Sequence, residues 1–233
     1  ITFFYRDYEV HSMPPASSGG IAIAGILNQL ENIQLSSLDY HSAQHIHFVS
    51  EAERRVYADR AEFMGDMDFV PVPIDTLISD KYANSRWQSV DSISASLSAE
   101  IAHGDIPFNY KESEETTHYS VVDRWGNAVS VTTTINGWFG SGIVVDGTGF
   151  LLNNEMDDFS AKPGIPNAYG LIGNTANAIE PGKRMLSSMS PTIVETPEGG
   201  LFLVVGSPGG STIITTTAQI IMNVIDFGMD LED

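Results

Sequence analysis

The sequence contains no cysteine. This absence excludes disulfide bonds, thiol catalysis and zinc–thiolate sites together. Basic residues are also scarce, since 11 Lys and Arg stand against 30 Asp and Glu and leave a formal net charge of −19. A chain this acidic is repelled by nucleic acid and by anionic membrane surfaces, so we predict neither as a partner. No apolar run reaches the length of a membrane span, and none is predicted.

The length and the apolar content suit one large domain, or a piece of a bigger protein. The 233 residues are 42% hydrophobic, which is ample material for a core. Residues 1–6 lack a basic lead before a long apolar segment, so they are typical of a strand and not of a signal peptide. The chain stops shortly after Gly228, where we expect a helix to end. We therefore expect both ends to lie inside a longer protein.

Hydrophobic spacing divides the chain into a mainly helical part, residues 1–115, and a mainly β part, residues 116–233. The helical part ends in an acidic linker, which is typical of an accessible segment. The predicted helices cover residues 21–33, 39–64 and 213–227, with two short helices within 74–103. The predicted strands cover residues 119–122, 128–135, 150–153, 190–195 and 201–207. This order indicates a layered α+β architecture.

A threonine pair, Thr116 and Thr117, stands directly before the first predicted strand. A threonine hydroxyl is a weak nucleophile unless a base lies beside it. If the chain were cut between Glu115 and Thr116, the freed α-amine would be that base, because its reference pKa is about 8. The alternative is that both are ordinary β-branched strand residues. His118 follows two residues after Thr116, although strand alternation alone does not direct it there.

A glycine-rich turn, Gly206-Ser207-Pro208-Gly209-Gly210-Ser211, joins a predicted strand to a predicted helix that Ser211 would cap. Backbone N–H groups in such a turn can converge on an anion. The Lys-Ser/Thr ending of a phosphate-binding loop is missing, so we favour an oxyanion hole formed by Gly209 and Gly210. A plain strand-to-helix turn is the alternative.

Further polar groups could bind a zwitterion. Adjacent hydroxyls at Ser187 and Ser188 can bind a carboxylate with neutral donors, although such a pair is often only a turn. We expect Lys183 and Arg184 to be the only cations close enough to act at this pair. Glu155 and Asp158 follow a predicted strand and could hold an ammonium group, whereas the spacing of an EF-hand loop is absent.

The remaining candidates are a loop and a histidine cluster. Tyr169 lies in a Gly- and Pro-rich stretch, residues 162–182, that is typical either of a lid or of a disordered segment. His41, His45 and His47 invite a metal interpretation, but no cysteine or nearby carboxylate completes a site. We therefore predict no metal and no cofactor.

Taken together, the motifs resemble those of the γ-glutamyltranspeptidase family, in order and over nearly the whole chain. The first motifs are Ser12-Met13-Pro14-Pro15-Ala16-Ser17-Ser18-Gly19-Gly20, Tyr57-Ala58-Asp59-Arg60 and Thr116-Thr117-His118-Tyr119-Ser120. The others are Gly126 to Asn136, Phe139-Gly140, Leu152 to Ser160, Leu186 to Thr192 and Gly206 to Gly210. The resemblance implies a partial N-terminal-nucleophile hydrolase fold, a four-layer αββα sandwich.

The resemblance also implies a reaction and a set of site residues. The precursor would cut itself before Thr116, which would then attack the γ-amide of glutathione or a related donor. The γ-glutamyl group would pass to water, an amino acid or a peptide. The implied roles are positioning of Thr116 by Thr134, an oxyanion hole at Gly209 and Gly210, ammonium binding by Asn136, Glu155 and Asp158, carboxylate binding by Ser187 and Ser188, and a lid with Tyr169.

The resemblance leaves some points open. The arginine that binds the donor carboxylate in the family lies in an N-terminal region that this sequence lacks, so we expect the chain to need the missing large-subunit segments of its own precursor as a partner. Glu155 stands where many bacterial relatives have glutamine. The resemblance implies a periplasmic or secreted location. The alternatives are a cephalosporin or glutaryl acylase, an amidase acting on poly-γ-glutamate, or a non-catalytic binding module.

Overall fold

The computed structural model describes residues 1–104, 116–160, 175–230 and 232. Two predicted site residues, Glu115 and Tyr169, lie outside these ranges. The described residues form helices and β-sheets, which confirms the predicted α+β class.

The predicted helices are present, with ends shifted by a few residues. They are α1 Gly19–Leu30, α2 Ala43–Phe63, α3 Ile74–Leu77, α4 Asp80–Trp87 and α5 Thr212–Phe227. Every residue of α1 is buried, in line with its nearly continuous apolar sequence. The side chain of Ser42 starts α2 by accepting a hydrogen bond from the backbone N–H of His45 at 3.2 Å.

Six strands form two antiparallel sheets in the described residues. They are β1 Thr2–Tyr5, β2 Tyr8–Ser12, β3 Thr117–Val122, β4 Ala128–Thr133, β5 Thr192–Glu195 and β6 Leu201–Val205. The larger sheet has the order β1-β2-β5-β6, and β3 pairs with β4 in the smaller one. The larger sheet therefore joins strands from both sides of Thr116.

Two strand predictions were wrong. We did not predict β2, which is short and leads straight into the turn-rich stretch before α1. The strand predicted over residues 150–153 is absent, because Leu151 makes only an isolated bridge to Val144. Gly147 and Gly149 between them have φ of +74° and +80°, which curl the chain into a tight loop instead of a ladder.

The sheets and helices are stacked in layers. Val10, Val194 and Leu203 of the larger sheet belong to the same buried core as residues of α1 and α5. The β3–β4 hairpin meets the larger sheet through serine hydroxyls, since Ser120 Oγ donates to Val204 O at 3.2 Å and Ser130 Oγ donates to Val205 O at 3.1 Å. The order helix, sheet, sheet reproduces three layers of the predicted sandwich.

One side of the β3–β4 hairpin is apolar and exposed. Tyr119, Val121 and Val129 alternate with the residues that meet the larger sheet, and all three are exposed.

Within the described ranges, no helix is long and apolar enough to cross a membrane.

An ion pair between the buried Asp66 and the more exposed Arg184 holds the segment that leads to Ser187. The Arg184 backbone N–H and Nε both donate to Asp66 Oδ2, at 2.8 and 2.9 Å. The side-chain hydrogen bond from Arg184 lowers the pKa of Asp66 to about 2, against the opposing effect of burial. The ion pair therefore stabilises the folded chain fully above the unfolded-state pKa of Asp66, 3.8, and this contribution is lost as the pH falls toward 2.

We expect Asp66→Asn to destabilise the chain at pH 7 by about 1–3 kcal/mol, the usual effect of losing hydrogen bonds to a charged group. The variant should also lose less stability than the wild type between pH 4 and pH 2. Urea unfolding followed by circular dichroism across this range measures both effects. Asp68→Asn is the control, because Asp68 contacts the same arginine but is exposed. Identical pH curves for the two variants would contradict this account.

Candidate functional site

Thr116 and Thr134 lie at neighbouring strand ends. The last pair of the β3–β4 ladder joins Thr117 to Thr133, so the next residue of each strand stands at the same end of the hairpin. Thr134 Oγ1 accepts a hydrogen bond from the Asn136 backbone N–H at 2.8 Å. In that contact the hydroxyl oxygen is the acceptor, so the hydroxyl hydrogen can serve a second hydrogen bond.

His118 packs against Gly206 and fixes β3 beside the glycine-rich turn. A Cβ at position 206 would overlap the imidazole ring. Ser120 Oγ gives its hydrogen to Val204 O, so it accepts from His118 Nε2–H at 3.1 Å. Nδ1 is then the acceptor for the Thr132 hydroxyl at 2.9 Å, and burial lowers the pKa of His118. His118 is therefore a neutral, oriented residue beside the start of β3.

Asn136 presents a buried acceptor at the end of β4. Its side chain is 3% exposed and its φ is +65°, a left-handed conformation that asparagine tolerates better than most residues. Nδ2 donates to Asn154 O at 3.3 Å. Among the residues that the structure describes, Oδ1 has no hydrogen-bond partner. A buried acceptor of this kind needs a donor, which a bound ligand can supply.

The acidic turn Glu155–Asp158 follows directly. Gly137 N–H donates to Asn154 Oδ1 at 2.8 Å, which ties this turn to the residues after β4. Glu155 is half-buried, and burial raises the pKa of its carboxyl. The carboxyl of Glu155 has no cationic partner within the described ranges, and Asp158, the last residue of this turn, is buried. Negative charge and an open acceptor therefore lie together.

The serine pair is held by the sequence that precedes α1. The Ser18 backbone N–H and Ser18 Oγ both donate to Ser187 O at 2.8 Å, and Ser17 Oγ donates to Met189 O at 2.7 Å. Gly19 is required at the start of α1, because a Cβ there would lie 2.5 Å from Met189 O. The Ser-Ser-Gly-Gly motif thus fixes Ser187 and the residues that follow it.

Arg60 is the residue that sequence reasoning missed. Its guanidinium is 3% exposed, with Nε donating to Ser18 Oγ at 2.8 Å and Nη2 to Ser188 Oγ at 3.0 Å. The expectation that Lys183 and Arg184 are the only cations near the serine pair is therefore wrong. Arg60 is 128 positions from Ser188 in the sequence, so no local pattern connects them.

Lys183 and Arg184 are engaged elsewhere. Lys183 Nζ bonds to Glu180 at 2.8 Å, and Arg184 is bound to Asp66.

Asn177 was also missed, although it connects the two halves of the site. Its Nδ2 donates to Asp158 O at 2.5 Å, and its Oδ1 accepts from Leu186 N–H at 2.9 Å, next to the serine pair.

The turn at Gly209 and Gly210 opens α5. Both glycines have positive φ, +119° and +57°, and neither N–H donates to an acceptor in the part of the chain that the structure describes. The Tyr57 hydroxyl donates to Ser211 O and holds the turn against α2. Ser211 is the N-cap residue of α5 as predicted, but its side chain makes no capping hydrogen bond. Thr212 Oγ1 instead donates to Gly209 O at 2.7 Å.

The three histidines of the sequence analysis do not converge on one point. The His41 backbone N–H donates to His45 Nδ1 at 3.1 Å, so only Nε2 of His45 is left for a metal. His47 Nε2 donates to Asp91 O at 2.7 Å, away from that pair.

Comparison with known proteins shows what the chain is similar to. A family model described as gamma-glutamyltranspeptidase matches residues 1–233. The glutathione hydrolase proenzyme of Escherichia coli K12 is 54% identical over 230 residues, which are 98% of this chain and 39% of that protein. The glutathione hydrolase proenzyme of Pseudomonas sp. strain A14 is 52% identical over 229 residues, with the same coverage. The chain thus spans 39% of the length of these relatives.

The fold is similar to that of a solved acylase. The crystal structure of cephalosporin acylase from Bacillus halodurans matches with a TM-score of 0.77 at 26% identity. The match covers 99% of this chain and 38% of the acylase. The layered fold is therefore that of the N-terminal-nucleophile hydrolases.

We expect Gly206→Ala to destabilise the chain by about 1–3 kcal/mol, because the added methyl group overlaps the His118 ring. Gly200→Ala is the matched control, since the nearest atom to a Cβ there is Thr196 Oγ1 at 3.4 Å. Urea unfolding compares the two variants, and adding His118→Ala to Gly206→Ala should restore part of the loss. Equal stability of the two single variants would show that His118 does not pack on Gly206.

Proposed function

The chain belongs to the γ-glutamyltranspeptidase family, and from this we propose that the whole protein transfers or hydrolyses γ-glutamyl groups with Thr116 as an N-terminal nucleophile. Glutathione and related γ-glutamyl amides are the proposed donors, and water, amino acids or peptides are the acceptors. The observation that carries the proposal is the strand end at which Thr116 and Thr134 stand side by side. Two features support it: His118 packs against the turn whose Gly209 and Gly210 N–H groups have no acceptor among the described residues, and Asn136, which bonds to Thr134, has an unpaired buried oxygen.

The proposed first step is self-cleavage between Glu115 and Thr116. The Thr116 hydroxyl attacks the Glu115 carbonyl, the peptide N–C bond breaks, and an ester to Thr116 Oγ1 remains. Water hydrolyses this ester, which leaves a carboxylate on Glu115 and a free α-amine on Thr116. That amine, with a reference pKa of about 8, is unprotonated in part at neutral pH and can accept the hydroxyl proton.

In the proposed second step, Thr116 attacks the γ-carbonyl of the donor. The α-amine takes the hydroxyl proton and passes it to the departing amine, so that a γ-glutamyl ester forms on Thr116. Thr134 stands at the paired strand end and is proposed to donate its hydroxyl hydrogen to Thr116 Oγ1. Water or an acceptor amine then attacks the ester by the same route in reverse.

We assign the oxyanion hole to the backbone N–H groups of Gly209 and Gly210. Preorganised donors of this kind stabilise the charge that develops on the carbonyl oxygen. Support comes from their position beside Gly206, which contacts His118 two residues from Thr116. Replacing Gly209 by proline would remove one of these N–H groups, but it would also distort the turn, because proline fixes φ near about −65° and Gly209 has a φ of +119°.

The two charged ends of the glutamyl group are assigned to opposite sides of the pocket. Asn136 Oδ1, Glu155 and Asp158 are proposed to accept the ammonium hydrogens, which would satisfy the unpaired amide oxygen. Ser187 and Ser188 are proposed to donate to the α-carboxylate. The raised pKa of Glu155 supports this assignment, because a bound ammonium would restore the charged form.

Four further assignments stay predictions. Tyr169 is proposed to lie in a lid over the acyl-enzyme, and the large- and small-subunit parts are proposed to meet at Thr116. Segments of the whole protein beyond this chain are proposed as its structural partner, covering the exposed face of Tyr119, Val121 and Val129. The periplasmic or secreted location rests on the family resemblance.

A second candidate function is acyl transfer from donors without an ammonium group. The similarity to the Bacillus halodurans cephalosporin acylase favours it. Asn136 and Glu155 argue for a γ-glutamyl donor, because a half-buried carboxyl and an unpaired buried acceptor would otherwise lack a partner among the described residues.

We expect Thr116→Ala to leave the whole protein uncut and unable to release p-nitroaniline from γ-glutamyl-p-nitroanilide. Gel electrophoresis and intact mass detect the cleavage, and absorbance detects the product. Thr117→Ala, at the exposed neighbouring residue, is the control and should be cut and active. A Thr116→Ala chain that is still cut before residue 116 would refute self-cleavage by this hydroxyl.

We expect Asn136→Gly to lower kcat/KM for γ-glutamyl-p-nitroanilide by about 10- to 100-fold, the cost of a hydrogen bond to a charged group. Glycine preserves the left-handed backbone. With glutaryl-p-nitroanilide, which has no ammonium, the same variant should change little. An equal loss with both donors would contradict ammonium binding, and a wild type that prefers the glutaryl donor would favour the acylase alternative.

A further inference from the structure

The larger sheet carries three ionisable side chains at one place on the face that points away from α1 and α5. Glu9 of β2 and Glu195 of β5 are directly paired across the two strands. His11 lies two residues after Glu9 and so on the same face, whereas Val10 between them is part of the core. We predicted no metal site from the sequence. Glu195 lies far from Glu9 and His11 along the chain, so only the paired strands bring the three together.

The ligand atoms of these side chains converge on one point. His11 Nε2 lies 3.9 Å from Glu9 Oε1 and 3.8 Å from Glu195 Oε1, which is too far for a hydrogen bond. All three atoms lie within 4.8 Å of one another. In a tetrahedral zinc site with bonds of about 2.1 Å, neighbouring ligand atoms lie about 3.4 Å apart. Small rotations of the side chains would therefore close the set around a single ion.

A hydroxyl on β1 holds the imidazole from its other side. Thr2 is paired with His11, and Thr2 Oγ1 lies 3.0 Å from His11 Nδ1. When Nδ1 carries the ring hydrogen and donates it to Thr2, the lone pair of Nε2 faces the two carboxylates. Histidines that bind metals are oriented by a contact of this kind at the second ring nitrogen. His11 therefore has the outer support that a metal ligand needs.

The two carboxylates repel each other in the absence of a cation. Like charges directly opposite on paired strands are destabilising, and a neutral imidazole leaves the group with two negative charges. In the part of the chain that the structure describes, neither carboxylate has a partner other than His11. Arg6 lines the same groove as Glu9 but is bound to Asp226. A divalent cation would remove the repulsion and could enter through this groove.

We propose that Glu9, His11 and Glu195 bind one divalent transition-metal ion, of which Zn²⁺ fits best, and that the ion clips β2 to β5. A nitrogen ligand with carboxylate oxygens suits zinc, whereas calcium and magnesium take oxygen ligands. The fourth position is left to water on the exposed side. Because β2 and β5 lie on opposite sides of Thr116, the ion would join two polypeptides in the cut protein, a consequence that rests on the proposed function.

The test titrates Zn²⁺ into the whole protein by isothermal titration calorimetry, after treatment with EDTA and removal of the chelator. The wild type should bind one equivalent whose affinity falls by about 100-fold or more in Glu195→Gln and in His11→Gln. Thr2→Val removes only the outer contact and should lower the affinity by about 10-fold. Saturating Zn²⁺ should raise the melting temperature of the wild type but not that of Glu195→Gln.

His47→Gln is the matched control, because His47 is another partly exposed histidine and its Nε2 contacts Asp91 O away from the sheet. This variant should bind Zn²⁺ like the wild type. The proposal is overturned by a wild type that binds no Zn²⁺, by an affinity that Glu195→Gln and His11→Gln leave unchanged, or by an equal loss in His47→Gln. The uncut Thr116→Ala variant should bind the same equivalent, so a failure of self-cleavage would refute the proposed function and not the metal site.

Discussion

The arrangement of the proposed site depends on the hydrogen bonds that the buried Arg60 guanidinium donates to Ser18 and Ser188. A charged group can be buried only when its donors are satisfied, and two of the partners here are hydroxyls on separate segments. Helix α2 therefore fixes Ser18 and Ser188 relative to each other. One turn earlier, Tyr57 holds the carbonyl of Ser211, so the same helix face also orients the glycine turn. The site is built on a rigid element, although its functional atoms lie in turns.

A second constraint is the separation of charge between two segments of the proposed site. Glu155 and Asp158 lie in the turn tied to Asn136, whose oxygen is unpaired, and the serine pair contacts the buried cation Arg60. Asn177 joins the two sides through Asp158 O and the Leu186 N–H. The zwitterionic glutamyl group proposed as substrate matches this separation of charge in one orientation.

The sequence predicted the elements whose pattern is local. The helices α1, α2 and α5 were found because their apolar spacing is strong, and the β3–β4 hairpin because alternating residues flank Gly126-Asn127. The strand β2 was missed because it is short and runs into turn residues. The strand predicted at 150–153 was wrong because Gly147 and Gly149 curl the chain.

The residues proposed for the site could be named from the sequence, but the contacts that hold them in place could not. Thr116, Asn136, Glu155 and Ser188 stand out by type and by motif. Arg60 and Asn177 do not, since their partners lie far away in sequence and only the packed fold brings them together. The Tyr-Ala-Asp-Arg motif was visible, yet nothing in its spacing indicates that Tyr57 and Arg60 contact two different turns.

The central claim is that Thr116 carries the γ-glutamyl group after the chain is cut before it. The most direct measurement is to mix the whole protein with a γ-glutamyl donor, quench in acid within milliseconds, and locate the added group by peptide mass spectrometry. The account predicts one glutamyl residue in ester linkage to Thr116, on a peptide that begins with Thr116. A glutamyl group on any other residue, or turnover by a chain still joined at Glu115, would contradict it.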